Sequence, residues 1–167
     1  MSDYPSYPAP PPPDGYAGYG QPLSTEPPPS IKTSFNIILA VLALSALSTA
    51  LSFVFLDDII EAAGINPGDA DADAARAGAM IGSVVGFLVF GGLWVLLGVF
   101  LRKGANWARI VLTVLAALGL VFGVIGLLGE QPVLFLMLSL AQMALDVALL
   151  YFMWRPDSSA YLQGRRA

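Results

Sequence analysis

The chain has 167 residues, of which 56% are apolar and 12% charged, and its formal net charge is −4. Soluble domains are about 45–50% apolar and about 25% charged, so this composition is typical of a membrane protein and excludes an ordinary soluble domain. The chain has no cysteine and no histidine, which excludes thiolate nucleophiles, Ser-His couples and Cys/His metal or haem sites. We therefore expect no cofactor, no metal site and no enzymatic activity, and the absence of a basic patch predicts no nucleic-acid binding.

The first segment, residues 1–33, holds 10 of the 13 prolines and four of the six tyrosines. Proline fixes φ and removes a hydrogen-bond donor, so this segment is predicted to be a disordered, partly polyproline-II arm. Its PxxP spacings, Pro5 to Pro8 and Pro10 to Pro13, suit a protein partner with an aromatic groove. An inert spacer would have the same composition, so the sequence leaves both alternatives open.

Four apolar runs follow the arm, at about 34–56, 79–101, 110–128 and 133–154. A hydrocarbon core of ~30 Å needs about 20 helical residues, and lipid forces each run to satisfy its own backbone groups. The runs lack the polar–apolar alternation of barrel strands. The predicted fold is therefore all-α, a polytopic four-helix transmembrane bundle over residues 34–156, preceded by the arm and followed by a short basic tail at 157–167.

Basic residues predict the orientation of this bundle, because Lys and Arg near span ends are retained on the cytoplasmic side. Seven of the eight lie on one side: Lys32, Arg102, Lys103, Arg109, Arg155, Arg165 and Arg166. We therefore expect a multi-pass membrane protein with both termini cytoplasmic. Five residues on that side are predicted to anchor at the lipid interface, namely Arg102, Lys103, Trp107, Arg109 and Trp154.

One ionisable residue, Asp146, lies inside a predicted span. Ser139 and Gln142 share its helical face at i, i+3 and i+7 spacing, which predicts a polar stripe facing the bundle interior. The stripe suits a proton or cation path. Interhelical hydrogen bonding to backbone carbonyls or to the first span, at Ser45, Ser48, Thr49 or Ser52, would also explain it. We favour that interpretation because transporters usually show broken helices or several intramembrane charges.

Small residues at spacing four predict close helix packing. They occur in three of the predicted helices: Gly78, Gly82 and Gly86 open the second, Gly119 and Gly123 lie in the third, and Ser45 and Thr49 lie in the first. The motif is compatible with packing inside the monomer, which we favour, and with a homo-oligomer.

The stretch from Arg102 to Leu118, RKGANWARIVLTVLAAL, resembles small four-span membrane proteins of actinobacteria, in which a Gly-x-Asn-Trp-Ala-Arg turn leads into the third helix. The Pro, Gly and Tyr-rich arm also looks like the cytoplasmic arms of that group. The resemblance implies a lineage and a plasma-membrane location, and it carries over no catalytic residue.

Together these patterns predict a structural or accessory membrane component that contacts the lipid bilayer and binds a protein partner through its N-terminal arm or its helix faces. The alternative is a small ion- or solute-conducting transporter or channel that uses Asp146.

Overall fold

The computed structural model of the chain describes residues 26–66, 68–129 and 132–164. Helices make up 85% of this part, which contains no strand, so the predicted all-α fold is confirmed. The order is α1 (Pro29–Val54), α2 (Leu56–Ala62), α3 (Ala72–Arg102), α4 (Asn106–Leu127), α5 (Val133–Met153) and α6 (Pro156–Gly164).

The helices α1, α3, α4 and α5 are long and apolar enough to cross a membrane, and each coincides with one predicted apolar run. The shortest, α5, has 21 residues and extends about 32 Å at 1.5 Å per residue, which matches a hydrocarbon core of ~30 Å. The fold is thus that of a multi-pass integral membrane protein.

The four long helices form a ring in which α1 packs against α3 and α5, and α4 packs against the same two neighbours. At one end of the bundle α1 begins, α5 ends and α6 packs; we call this the terminal end. At the other, the loop end, α2 links α1 to α3 and a short turn links α4 to α5.

Burial is concentrated at the terminal end. Nine apolar residues form a contiguous cluster there, which we call the terminal-end core: Ile31, Ile38, Leu97, Leu101, Ala108, Leu112, Leu149, Met153 and Leu162. They come from the first halves of α1 and α4, the last parts of α3 and α5, and α6. The bundle is therefore tightly packed at its terminal end and looser toward its loop end.

The first helix begins at Pro29, which corrects the predicted boundary of the arm at residue 33. Proline suits the first helical turn because the missing N–H would have no helical partner there. The N–H groups of Ile31 and Lys32 donate to the Pro28 carbonyl at 3.0 and 3.1 Å, and Ser30 and Ile31 are buried. The predicted disorder of residues 1–25 lies outside the described residues.

Most of the predicted tail at 157–167 is helical, because Pro156–Gly164 forms the helix α6. Ser158 and Leu162 on one face of α6 are fully buried. The Ser158 hydroxyl lies 2.7 Å from the Ser30 hydroxyl and 2.8 Å from the Phe152 carbonyl, and the Tyr161 hydroxyl donates to the Arg102 carbonyl at 3.0 Å. This helix therefore covers the terminal end of the bundle.

Asp157, in the first turn of α6, strengthens the same attachment. A hydrogen bond from the Ser30 side chain, together with backbone N–H groups at the start of α6, lowers the pKa of the Asp157 carboxyl below its usual 3.8. Because the folded state lowers this pKa, the stabilisation is present above pH 3.8 and is lost as the pH falls through the lowered value.

Ser158→Val should release α6 from the bundle, because the valine cannot replace either hydrogen bond and leaves the Ser30 hydroxyl facing an apolar group. Limited proteolysis in detergent is expected to cut the variant after residue 154 at least several times faster than the parent chain. Gln163→Ala, on the exposed side of α6, is the matched control. Equal cleavage rates in all three proteins would show that Ser158 does not hold the helix.

At the loop end, an ion pair fixes α2 against α3. The Arg76 guanidinium donates to Asp57 on α2 at 2.8 Å and to Asp73 at 3.0 Å. The helix α2 ends before Gly64, whose φ of +86° favours glycine and reverses the chain. These contacts place the side chains of α2 over the loop end of the bundle.

Candidate functional site

The loop end contains a cleft of about 680 Å³ between α1, α4 and α5. Asp58 of α2 and Pro132 at the start of α5 lie on its wall near the loops, and Asp146 lies on its wall deep in the bundle. Asp146 is 13 residues beyond the first residue of α5, which is about 20 Å along the helix at 1.5 Å per residue. The cleft thus extends well into the membrane-spanning part.

Seven of the residues predicted for the stripe and for helix packing meet on the wall of this cleft. The whole polar stripe lies there, together with two small residues of α1 and two of α4: Ser139, Gln142, Asp146, Ser45, Thr49, Gly119 and Gly123. The structure therefore brings together residues that the sequence assigned to two separate motifs.

Asp146 is the most deeply buried acid of the cleft, with 4% of its surface exposed. The Gln142 side chain donates a hydrogen bond to the carboxyl group, but Oδ1 has no partner among the described residues. Gly119 of α4 makes room for the other oxygen, because a Cβ added to Gly119 would lie 3.4 Å from Oδ2. A buried carboxyl oxygen without a donor is costly and calls for an explanation.

The hydroxyl groups of α1 do not provide the missing donor. Thr49 Oγ1 donates to the Ser45 carbonyl at 2.9 Å and Ser52 Oγ donates to the Thr49 carbonyl at 2.7 Å, so both are used within their own helix. Within the described residues no hydrogen bond joins Asp146 to the four predicted hydroxyl partners, Ser45, Ser48, Thr49 and Ser52. The predicted interhelical bonding of the stripe to α1 is therefore absent there.

Apolar packing closes the cleft beyond Asp146. Leu149 and Met153 follow Asp146 on one face of α5 at i+3 and i+7, and both belong to the terminal-end core. Leu112 of α4 is in the same core and is fully buried. Apolar packing therefore separates Asp146 from the terminal end of the bundle.

The described wall of the cleft is acidic. Asp58 and Asp146 lie on it, and Lys and Arg are missing from it. Arg76, the basic residue of the loop end, is paired with Asp57 and Asp73. The cleft therefore favours positive charge over negative charge.

The two predicted glycine motifs differ in whether they contact a neighbouring helix. Gly123, like Gly119, faces α5, where an added Cβ would meet Met143 Cγ at 3.1 Å. Gly78, Gly82 and Gly86 have open space where a Cβ would be, which corrects their predicted role in packing the monomer.

The close contacts of α3 are made instead by two glycines that do not belong to the GxxxG pattern. A Cβ on Gly91 would lie 3.3 Å from Leu42 Cδ2, and one on Gly98 would lie 3.1 Å from Phe35 Cδ2. Gly91 and Gly98 are seven residues apart and so share a helical face. That spacing is the signal that could have identified them.

The predicted interface residues lie together at the terminal end. Arg102 lies over the Phe35 ring at 4.8 Å, Lys103 lies over the Phe100 ring at 5.8 Å, and the Trp107 ring is 5.2 Å from that of Phe100.

Arg109 corrects the lipid-facing prediction, since only 5% of it is exposed. Its guanidinium lies 4.2 Å from the centre of the Trp154 ring and donates to Ser159 Oγ at 3.0 Å. Trp154 is half exposed and donates to Thr113 Oγ1 at 3.0 Å. These two residues join α4, α5 and α6.

Comparison with known proteins adds no assignment to this geometry. No protein-family model, no curated protein and no solved structure matches the chain.

Proposed function

We propose that this integral membrane protein binds a small polar solute in the cleft between α1, α4 and α5, and that the solute enters from the loop end. The observation that carries the proposal is Asp146, a buried carboxyl group on the wall of a cavity with one oxygen lacking a partner among the described residues. An entering solute would donate a hydrogen bond to the Asp146 carboxyl group, which lacks one at Oδ1 among the described residues.

The surroundings of Asp146 support a binding role over a purely structural one. Structural polar groups in membranes usually hydrogen-bond across helices, whereas Thr49 and Ser52 bond within α1. The terminal-end core lies between Asp146 and the far end of the bundle. Transport would therefore need a second conformation in which that core opens and the loop end closes.

The absence of cysteine allows a direct test by thiol labelling. In native membranes, Ser139→Cys on the cleft wall should react with a polar, membrane-impermeant methanethiosulfonate at least about tenfold faster than Val147→Cys. Val147 is the matched control because it lies on the same helix and is more than half exposed on the outer surface, where lipid excludes the reagent. Equal, slow labelling at both positions would contradict a water-filled cleft.

We infer that both chain ends lie in the cytoplasm, supported by the described basic residues at the terminal end, Lys32, Arg102, Lys103, Arg109 and Arg155, against Arg76 at the loop end. The proposed membrane is a bacterial plasma membrane, as the resemblance of the stretch from Arg102 to Leu118 implies.

A second candidate function is an accessory component that binds another membrane protein. It is favoured by the open glycine face of α3 at Gly78, Gly82 and Gly86, which would let another helix approach closely. The alternative contact through the N-terminal arm falls outside the described residues.

Gly82→Ile should then abolish co-purification of a cross-linked partner or second copy, whereas Gly126→Ile should not. Gly126 on α4 also has open space around its Cβ position, so it controls for the bulk of the new side chain. Unchanged cross-linking by Gly82→Ile would remove this candidate, and deletion of residues 1–25 would test the arm separately.

A further inference from the structure

We propose that the ligand of the cleft is a small organic cation, an ammonium group on an apolar body, whose ammonium group binds Asp146. This inference rests on the proposed function, because it names the class of solute that the same cleft would accept.

Charge is the first support for a cation. Asp146 contributes a buried carboxyl group with Oδ1 unpartnered among the described residues, and exposed Asp58 adds a second acid where the cleft meets the loops. The described wall has no basic side chain to neutralise either of them. A buried carboxylate gains more from an ion pair than from a neutral donor, because hydrogen bonds between charged groups are roughly twice as strong.

The lining of the cleft supports an apolar body beside the charge. Phe135, Leu138 and Met143 of α5 and Ile59 of α2 contribute apolar surface to the wall around the polar stripe. A volume of about 680 Å³ lies within the range of about 300–1,000 Å³ that is usual for small-molecule sites. A single ammonium ion would leave most of this space unfilled.

The wall does not offer the ligand set of a metal ion. Calcium takes six to eight oxygen ligands and magnesium an octahedron, and the part of the chain that the structure describes has no cluster of three or more carboxylate side chains suited to a metal ion. The buried carboxyl group of Asp146 beside apolar surface instead matches an alkylammonium group, which needs a counter-ion and a place for its hydrocarbon.

Two aromatic rings lie near the loops, on the path that an entering cation would take. Phe55 and Phe135 both lie on the wall, with their ring centres 5.7 Å apart in an edge-to-face arrangement. The faces of such rings attract cations. An ammonium group entering past Asp58 would therefore meet attractive surface before it reaches Asp146.

Three probes of similar size and different charge test the proposal: 2-phenylethylammonium, 2-phenylethanol and phenylacetate. Binding to the full-length protein in lipid nanodiscs is measured by equilibrium dialysis at neutral pH, with empty nanodiscs subtracted. We expect the ammonium probe to bind at least about tenfold more tightly than the alcohol, and the carboxylate probe to bind most weakly. Equal affinity of the ammonium probe and the alcohol would overturn the proposal, and this comparison needs no variant.

A charge-removing variant then locates the site. Asp146→Asn should lower the affinity for 2-phenylethylammonium to that for 2-phenylethanol. Asp157→Asn, the same change on α6 outside the cleft, should leave it unaltered. Retention of full affinity by Asp146→Asn would show that the cation binds elsewhere and would contradict the assignment.

Thiol labelling of Ser139→Cys distinguishes failure of the organic-cation proposal from failure of the proposed function. Fast labelling of Ser139→Cys without any preference for the ammonium probe would leave the cleft as a solute site but reject the organic cation. Slow labelling of Ser139→Cys would reject the water-filled cleft itself.

Discussion

Asp146→Leu is expected to stabilise the folded bundle while abolishing binding in the cleft. The parent chain buries a carboxyl group with Oδ1 unpartnered among the described residues, and leaving a buried polar group unpaired costs about 1–3 kcal/mol. Leucine has the same branched shape as aspartate and removes that cost, as apolar replacements of buried charged groups often do. We therefore expect the free energy of unfolding to rise by about 1–3 kcal/mol, partly offset because Gln142 loses its partner.

Unfolding in mixed detergent micelles, followed by far-UV circular dichroism, measures this change. Val147→Leu on the outer surface of α5 is the control and should change stability little. A loss of stability on Asp146→Leu would show that the carboxyl group holds helices together, as the interhelical interpretation of the polar stripe requires, and the cleft would then have no unpaired group to offer a ligand.

Leu112→Ala should be among the most destabilising apolar truncations in the chain. Leu112 is fully buried in the terminal-end core, so its truncation leaves a cavity that the helices cannot easily fill. Lipid tails are as apolar as the core, so the loss comes mainly from packing. We expect a cost of about 2 kcal/mol, at the low end of the usual range for leucine to alanine.

The matched control is Leu118→Ala, on the same helix with 48% of its surface exposed. Its cost should be below about 0.5 kcal/mol, as for other exposed positions. The same micelle unfolding measurement compares the two variants. Equal costs at both positions would show that the terminal end is no better packed than the lipid-facing surface.

The spans and the polar stripe could be predicted because they depend on properties of one segment at a time. An apolar run near 20 residues must become a helix in lipid wherever its neighbours lie. Ser139, Gln142 and Asp146 share a face through helical periodicity alone. Both features therefore survive any rearrangement of the bundle, and the structure places all three side chains on one cleft wall.

The choice of packing glycines could not be predicted because it depends on pairs of helices. A GxxxG pattern creates a smooth face, but only the bundle decides whether that face meets a neighbour. Gly119 and Gly123 meet α5, whereas Gly78, Gly82 and Gly86 meet open space. The cleft is formed by three helices together, so the sequence of any one of them does not predict it.

Burial of Arg109 and the packing of α6 were missed for the same reason. From the sequence alone, Arg109 is predicted to be a basic residue at a membrane interface. Its burial against the Trp154 ring depends on how the helices pack at the terminal end. The segment 156–164 is polar, so its composition indicates only a tail. Its attachment depends on Ser30, 128 residues away from Ser158 along the chain.

The side of the membrane on which each segment lies is the most direct test that four helices cross the bilayer. Single cysteines at Glu26, Asp71 and Ala160 can be labelled with an impermeant maleimide in intact and in opened cells. Four crossings predict that Glu26→Cys and Ala160→Cys label from one face, which the proposed orientation places in the cytoplasm, and that Asp71→Cys labels from the other. Labelling of Glu26→Cys and Ala160→Cys from opposite faces would contradict the four-helix account.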